Sequence, residues 1–187
     1  MKLCHLALAG LLAGGSAASA AVVVQIGPGT DVGGGLVSYE VHLVADNEDD
    51  IVTAWQGSIS GPLNNILFAG VLPTPSLDNA AFLGTDASSD SHFMFTNDQL
   101  IPIDVPTETD LGGGEWSLSG TFGFKPAVQT EDLLLAQVVL PQGATATMTS
   151  KAGRSDGVLF DTNAVIPEPA SIGLVAMAGL LALRRRH

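Results

Sequence analysis

The stretch Glu115–Lys125, with the sequence EWSLSGTFGFK, has the clearest period-two alternation in the chain. Its apolar residues Trp116, Leu118, Phe122 and Phe124 fall on one side of an extended backbone, and serine, threonine and charged residues fall on the other. Successive side chains of a strand point to opposite faces, so this pattern is typical of a strand with one buried face. The stretch therefore predicts a half-buried strand whose apolar side faces a core.

Further segments of the chain have a similar strand-like character. Alternating or continuously apolar runs, separated by Gly, Pro, Asn and Asp, occur at Val22–Ile26, Leu36–Ala45, Ile51–Ser60, Phe93–Phe95, Leu133–Leu140, Gly143–Ser150 and Val158–Asp161. No stretch between residues 21 and 165 has a convincing helical period. We therefore predict an all-β fold, an antiparallel β-sandwich of about eight or nine strands.

Three features of this region receive a looser interpretation. The run Gly33–Gly35 is interpreted as a flexible lead-in, and Ile101–Gly114 as a connection rich in Pro, Thr and Gly. No internal repeat is predicted. The run Leu133–Pro141, followed by Gly143 and alternating Thr and Ala residues, weakly resembles cohesin-type or carbohydrate-binding-type sandwiches. That resemblance implies a fold and no more.

The last residues of the chain combine three different physical elements. Pro167-Glu168-Pro169 must be extended, because each proline fixes φ and disfavours helix at the residue before it. Ala170–Leu183 carries no charge and as a helix would measure roughly 21 Å, shorter than a bilayer core of about 30 Å. The arginines that follow, Arg184, Arg185 and Arg186, can snorkel to the interface and favour the cytoplasmic side.

This tail resembles the PEP-CTERM sorting signal of exported proteins in Gram-negative bacteria. The resemblance rests on Val165–Ser171, the small-residue apolar segment and the terminal arginines. It implies that an exosortase, a membrane-embedded processing enzyme, recognises Pro167, Glu168 and Pro169 and hands the protein to the envelope or matrix. The alternative is a plain C-terminal membrane anchor with an incidental Pro-Glu-Pro.

The front of the chain has the properties of a secretory signal peptide. Lys2 supplies the positive charge, Leu3–Leu12 the short apolar region, and Ala18-Ser19-Ala20 a small-residue cleavage site. Cleavage between Ala20 and Ala21 is expected; a retained N-terminal anchor is the alternative. We therefore divide the chain into a signal peptide (1–20), a β-sandwich domain (21–161), a linker with Pro-Glu-Pro (162–169) and a hydrophobic helix with an arginine-rich end (170–187).

The composition of the mature domain excludes several classes of function. Cys4, inside the signal peptide, is the only cysteine, so disulfides, thiolate catalysis and cysteine metal sites are excluded. Residues 21–165 contain 18 acidic residues and three basic ones, Lys125, Lys151 and Arg154. Such a charge argues against nucleic acid and anionic membrane surfaces as partners and favours solubility and divalent cations.

No sequence motif predicts catalysis. Asp90-Ser91-His92 places three triad residue types side by side, but adjacent residues of an extended chain point in alternating directions, which argues against a triad. Gly57–Gly61 has Ile59 where a nucleophile elbow needs serine, and His42 is interpreted as a solvated surface residue. We therefore predict no catalytic residues; an envelope hydrolase stays an alternative without a motif.

Two candidate ligand sites have competing interpretations. The acidic turn at Asp46, Asp49 and Asp50 is a candidate calcium site, and the alternative is a solvated turn; Asp86, Asp90 and Asp110 are weaker candidates. The aromatic residues Tyr39, Trp55 and Trp116 could form a sugar-stacking platform, but each lies on the apolar face of its strand, which favours core packing.

We therefore predict an exported, non-enzymatic protein with a structural or adhesive role in the extracellular matrix. The tail helix would hold it transiently in the inner membrane before processing, and exopolysaccharide is a candidate partner. The alternative is an extracellular carbohydrate-binding module, with calcium as a candidate stabilising ion and no other cofactor.

Overall fold

The alternating stretch at Glu115 forms a central strand in the computed structural model, and its residues Leu118, Phe122 and Phe124 are fully buried. The structure describes residues 21–46, 50–67, 75–78 and 83–166, except the side chains of residues 84–86. This described part contains eleven strands and two short 3₁₀ helices, Gly84–Ser89 and Asn97–Gln99. The strands are β1 (Val22–Ile26), β2 (Thr30–Gly33), β3 (Leu36–Ala45), β4 (Val52–Gly61), β5 (His92–Phe93), β6 (Leu100–Gly112), β7 (Glu115–Phe124), β8 (Asp132–Pro141), β9 (Ala146–Arg154), β10 (Leu159–Asp161) and β11 (Ala164–Ile166).

The strands form two antiparallel sheets. The first sheet has the order β1-β3-β8-β5, and β2 also pairs with β3. The second sheet has the order β10-β9-β4-β7-β6, and β11 also pairs with β9. The all-β, antiparallel sandwich predicted from the sequence is confirmed, with more strands than the eight or nine expected. No helix in the described ranges has the length and apolar character that crossing a bilayer requires.

The core lies between the two sheets and is centred on aromatic rings. Ring centroids of Trp55, Phe93, Phe95, Phe122 and Phe124 lie 5.0–5.5 Å from their neighbours, mostly edge to face. Such contacts stabilise a core beyond the area they bury. Trp55 exposes only 1% of its surface, which confirms the prediction of core packing over a sugar-stacking platform.

The other two aromatic candidates are also accounted for by packing. Tyr39 is 1% exposed in the middle of β3, and Trp116 is half-buried at the margin of the core. On β3, the predicted inward residues Val37, Val41 and Leu43 are likewise buried. The sheet faces were therefore predicted correctly where alternation was clear.

Two glycine triplets form tight hairpin turns. Gly33–Gly35 joins β2 to β3 and Gly112–Gly114 joins β6 to β7, and all six glycines have positive φ, between 65° and 89°. Asp31 Oδ1 and Asp110 Oδ1 accept the N–H of the first glycine of each triplet, at 2.8 and 2.7 Å. The pattern Asp-x-Gly-Gly-Gly thus forms the same kind of turn twice, and the prediction of a flexible lead-in at Gly33–Gly35 was wrong.

The segment Ile101–Gly114, expected to be a connection, is mostly a strand. β6 is 13 residues long and pairs with β7 along its whole length. Pro102 and Pro106 are tolerated because β6 is the last strand of its sheet, where an N–H is not needed on the open side. Shifts in register around residues 103 and 105–106 absorb the extra residues.

The end of the domain lies further along the chain than predicted. Ala164–Ile166 pairs with β9, and Ile166 is fully buried, so the paired structure continues past Asp161 into the expected linker. The signal peptide through Ala20, the Pro167-Glu168-Pro169 motif and Arg184–Arg186 lie outside the described residues; Ala21 is the first residue described. Their roles stay predictions.

Candidate functional site

The acidic turn proposed for calcium lies next to a basic residue. Arg154 Nη1 lies 3.0 Å from Asp50 Oδ2, and its other terminal nitrogen contacts Asp156. The Asp156 carboxyl, held chiefly by that hydrogen bond, has its pKa lowered to about 2. A guanidinium thus already supplies positive charge at Asp50, while Asp46 is exposed and Asp49 lies outside the described residues.

Two of the three weaker metal candidates, Asp90 and Asp110, accept hydrogen bonds from backbone N–H groups. Asp90 Oδ1 accepts the N–H of Ile66 at 2.7 Å, and Asp110 caps its glycine turn; the Asp86 side chain is not among those described. Within the described ranges, no group of three or more His, Cys, Asp or Glu side chains is arranged to hold a metal ion.

Asp90-Ser91-His92 is buried and does not form a nucleophile–base pair. Ser91 Oγ donates to the carbonyl of Val139 and accepts its N–H, at 3.2 and 3.0 Å. His92 Nδ1 lies 3.1 Å from the Asp90 carbonyl and 3.6 Å from its carboxylate. These contacts attach the segment before β5 to strand β8, which is a structural role.

His42 lies on the outer side of β3 and is a quarter exposed. Its Nδ1 contacts Asp132 Oδ1 at 2.8 Å, and its Nε2 lies 3.6 Å from Glu40. The prediction of a surface histidine is confirmed, with the addition of two carboxylate neighbours.

Glu108 is an acid that the sequence did not single out. It lies opposite Leu118 in the β6–β7 register and therefore faces the interior, where Oε1 is buried without a hydrogen-bond partner. Burial first, and then the charge of Asp90, raise the pKa of Glu108 to about 8. An ionisable side chain that points inward from an edge strand discourages pairing of that edge with another strand.

The outer face of the first sheet is partly covered by the segment between β4 and β5. Val139 faces outward on β8 yet is fully buried, and the segment runs alongside β8 at this position: the N–H of Asn64 bonds to the Val139 carbonyl at 2.7 Å and Ser91 bonds beside it. Gln137 Nε2 donates to the carbonyls of Ala87 and Asp90, each at 2.8 Å. This segment therefore occupies the part of the outer face around β8, whereas Glu40 on β3 is exposed.

The outer face of the second sheet, by contrast, carries ordered hydroxyl groups. The strand registers align two rows across four strands, Thr109–Ser117–Ser60–Thr147 and Thr107–Ser119–Ser58–Thr149. We call these eight residues the hydroxyl face. Two cross-strand contacts order it: Ser60 Oγ donates to Ser117 Oγ at 3.1 Å, and the hydroxyl oxygens of Thr107 and Ser119 lie 3.0 Å apart.

A shallow groove runs beside these rows. It has a volume of about 530 Å³, a floor that includes Ser58 and Ser119, and a wall formed by Asp104 and Val105 where β6 bulges. A second groove of about 280 Å³ lies on the other side of Gln56, which lines both.

The hydroxyl face carries little charge for so acidic a domain. The next row along the strands contains Asp104, Thr121, Gln56 and Lys151, and Lys151 lies 3.5 Å from Asp161 on β10. The sequence predicted outward Ser and Thr on β7 and β9 one strand at a time. It did not predict the rows, because the register that aligns them depends on pairing between distant strands.

No family model matches the chain, and no curated protein matches it. Among solved structures, it is similar to a cohesin module from a Clostridium perfringens family 33 glycoside hydrolase, with 13% identity and a TM-score of 0.41, over 80% of this chain and 98% of that one. A likeness this distant supports no statement about ligand or activity.

Proposed function

We propose that this chain is an exported, non-enzymatic protein with a structural or adhesive role at the cell envelope or in the extracellular matrix. The observation that carries the proposal is the contrast between the two outer faces of the sandwich. One is partly covered by the chain's own segment through Asn64, Ser91 and Gln137, and the other presents aligned hydroxyl groups. A polar sheet face of this kind suits contact with a surface or matrix better than chemistry on a small substrate.

The proposed location rests on the two ends of the chain. Residues 1–20 have the pattern of a secretory signal, and Pro167-Glu168-Pro169 with Arg184–Arg186 resembles a PEP-CTERM sorting signal. A cysteine-free, acidic domain suits export, because it needs no disulfides and stays soluble. The proposed processing partner is an exosortase-type enzyme.

Intact-mass analysis of the protein in fractionated cells tests this proposal. In a host with an exosortase, we expect a product that begins at Ala21 and lacks Arg184–Arg186. Glu168→Ala should leave uncut protein in the membrane fraction, whereas Glu131→Ala, at an exposed acid of the domain, should be processed normally. Full-length protein in the cytosolic fraction, with residues 1–20 still attached, would refute the proposed export.

A further inference from the structure

We propose that the hydroxyl face binds an extended, uncharged polysaccharide chain. This inference rests on the proposed extracellular role and names its ligand class and its site. The chain would lie across the serines of β4 and β7, which are half-buried except for the buried Ser117, and between the exposed threonines of β6 and β9.

The shape of the face supports a long ligand. Ser58, Ser60 and Ser119 on the central strands are small and half-buried, whereas Thr107 and Thr149 on the flanking strands are exposed. Small residues between larger ones make a trough, and neighbouring strands lie about 4.8 Å apart, so four strands span roughly 15 Å. The groove of about 530 Å³ is part of this trough, and it is open, as a polymer requires.

The chemistry of the face supports a ligand rich in hydroxyl groups. Each serine or threonine hydroxyl donates one hydrogen bond and accepts others, so aligned rows match a partner that also repeats donors and acceptors. The contacts Ser60–Ser117 and Thr107–Ser119 already order four of these hydroxyls. Order before binding lowers the entropy cost of binding.

Charge and hydropathy disfavour other ligand classes. An anionic polymer would meet a domain with 18 acids and three bases, and the one lysine in the adjacent row, Lys151, is paired with Asp161. A protein partner ordinarily needs aromatic or aliphatic anchors, and Val105 is the apolar side chain that lines the groove. Binding of a neutral sugar requires neither cationic side chains nor apolar anchors.

A binding assay on the full chain in detergent tests the inference independently of export. Insoluble cellulose, insoluble chitin and soluble dextran serve as uncharged probes, and alginate as an anionic one. We expect binding to at least one uncharged probe and weaker binding to alginate. Because the purified chain need not be secreted for this assay, failure here leaves the proposed export standing, and failed export leaves this result standing.

Substitutions that remove hydroxyls without changing shape locate the site. Thr107→Val with Thr149→Val should weaken binding about thirtyfold, since two lost hydrogen bonds at about 1 kcal/mol each amount to about 2 kcal/mol. Thr30→Val, at an exposed strand residue of the first sheet, is the matched control and should bind like the unchanged chain. Melting curves establish that each variant folds. If the double substitution does not fold, Gln56→Leu, at a residue that lines both grooves, is the second test of the site.

Several outcomes would overturn the inference. These are binding to none of the three uncharged probes, binding that the Thr107/Thr149 substitutions leave unchanged, and stronger binding to alginate. A regular array of hydroxyl groups can also order water molecules. Retention of the chain in growing ice, without binding to any polysaccharide, would therefore indicate that the hydroxyl face binds ice instead.

Discussion

Replacing Glu108 by glutamine should make the domain more stable at neutral and alkaline pH. Glu108 faces inward from the edge strand β6, its Oε1 has no hydrogen-bond partner, and Asp90 adds a second negative charge. Burial of an unpaired carboxylate disfavours its charged form. Glutamine has nearly the same shape and carries no charge, so Glu108→Gln removes the penalty without leaving a cavity.

The size of the effect follows from the difference between the two protonation equilibria. The pKa of Glu108 is raised from 4.5 to about 8 in the folded protein. Between these values the folded state holds a proton that the unfolded state has lost, so rising pH destabilises the fold. At about 1.4 kcal/mol per pH unit the full penalty above pH 8 is at most about 5 kcal/mol, and the partly exposed side chain can reach water, which reduces it.

Thermal melting from pH 4 to pH 9 measures this penalty. The melting temperatures of the unchanged chain and Glu108→Gln should coincide near pH 4 and diverge steadily toward pH 8. A penalty of a few kcal/mol corresponds to roughly 5–15 °C for a domain of this size. Glu115→Gln, at an exposed acid on the neighbouring strand, is the control and should follow the unchanged chain at every pH.

Parallel melting curves for the unchanged chain and Glu108→Gln across this range would refute the reasoning. Such a result would mean that Glu108 turns outward into water in solution and that its charge costs nothing. A glutamine variant that was less stable at every pH would refute it as well, because it would give the carboxylate a stabilising partner.

Three other substitutions test the packing, measured in each case by chemical denaturation. Phe122→Ala should cost about 3–5 kcal/mol, because Phe122 contacts four other rings of the core; a cost below 1 kcal/mol would contradict the described core. Gly57→Ala should also destabilise, by about 1–3 kcal/mol, since the added Cβ would lie 2.3 Å from Ser150 Cβ; unchanged stability would contradict the close approach of β4 and β9. Gly113→Ala, in a turn with open space around it, should cost only about 1 kcal/mol for its φ of 66°; a much larger loss would indicate contacts that the turn does not show.

The sequence predicted the fold well wherever one face of a strand is buried and the other is exposed to solvent. β3, β7 and β9 have this alternation, and their inward residues are those expected. Strand β6 was missed because it lacks the pattern: Ile101, Ile103 and Val105 are exposed, whereas Glu108 points inward. Bulges shift the phase of the alternation, and such shifts cannot be read from spacing alone.

The sequence contained a signal for the two glycine turns, although their composition alone did not indicate it. A run of glycines suggests flexibility, but Asp31 and Asp110 each stand two residues before a triplet and hydrogen-bond to its first N–H. The repeated spacing Asp-x-Gly-Gly-Gly was therefore a usable hairpin signal, because glycine alone adopts the required positive φ without cost. The hydroxyl face, by contrast, depends on how distant strands pair, and no local pattern contains that information.

The same features that kept strand β6 from being predicted also explain why the domain would use a sheet face, and not a sheet edge, for contact with a partner. Pro102 and Pro106 remove two donors, three register shifts interrupt the pairing, and Glu108 directs an ionisable side chain toward the interior. Each of these three features hinders the pairing of this edge strand with a strand of another chain. An unprotected edge strand would offer unpaired backbone groups to a second copy of the chain. With β6 protected in this way, and the other edge strands of the described sheets at most five residues long, the broad polar surface of the second sheet is the part best suited to reversible contact.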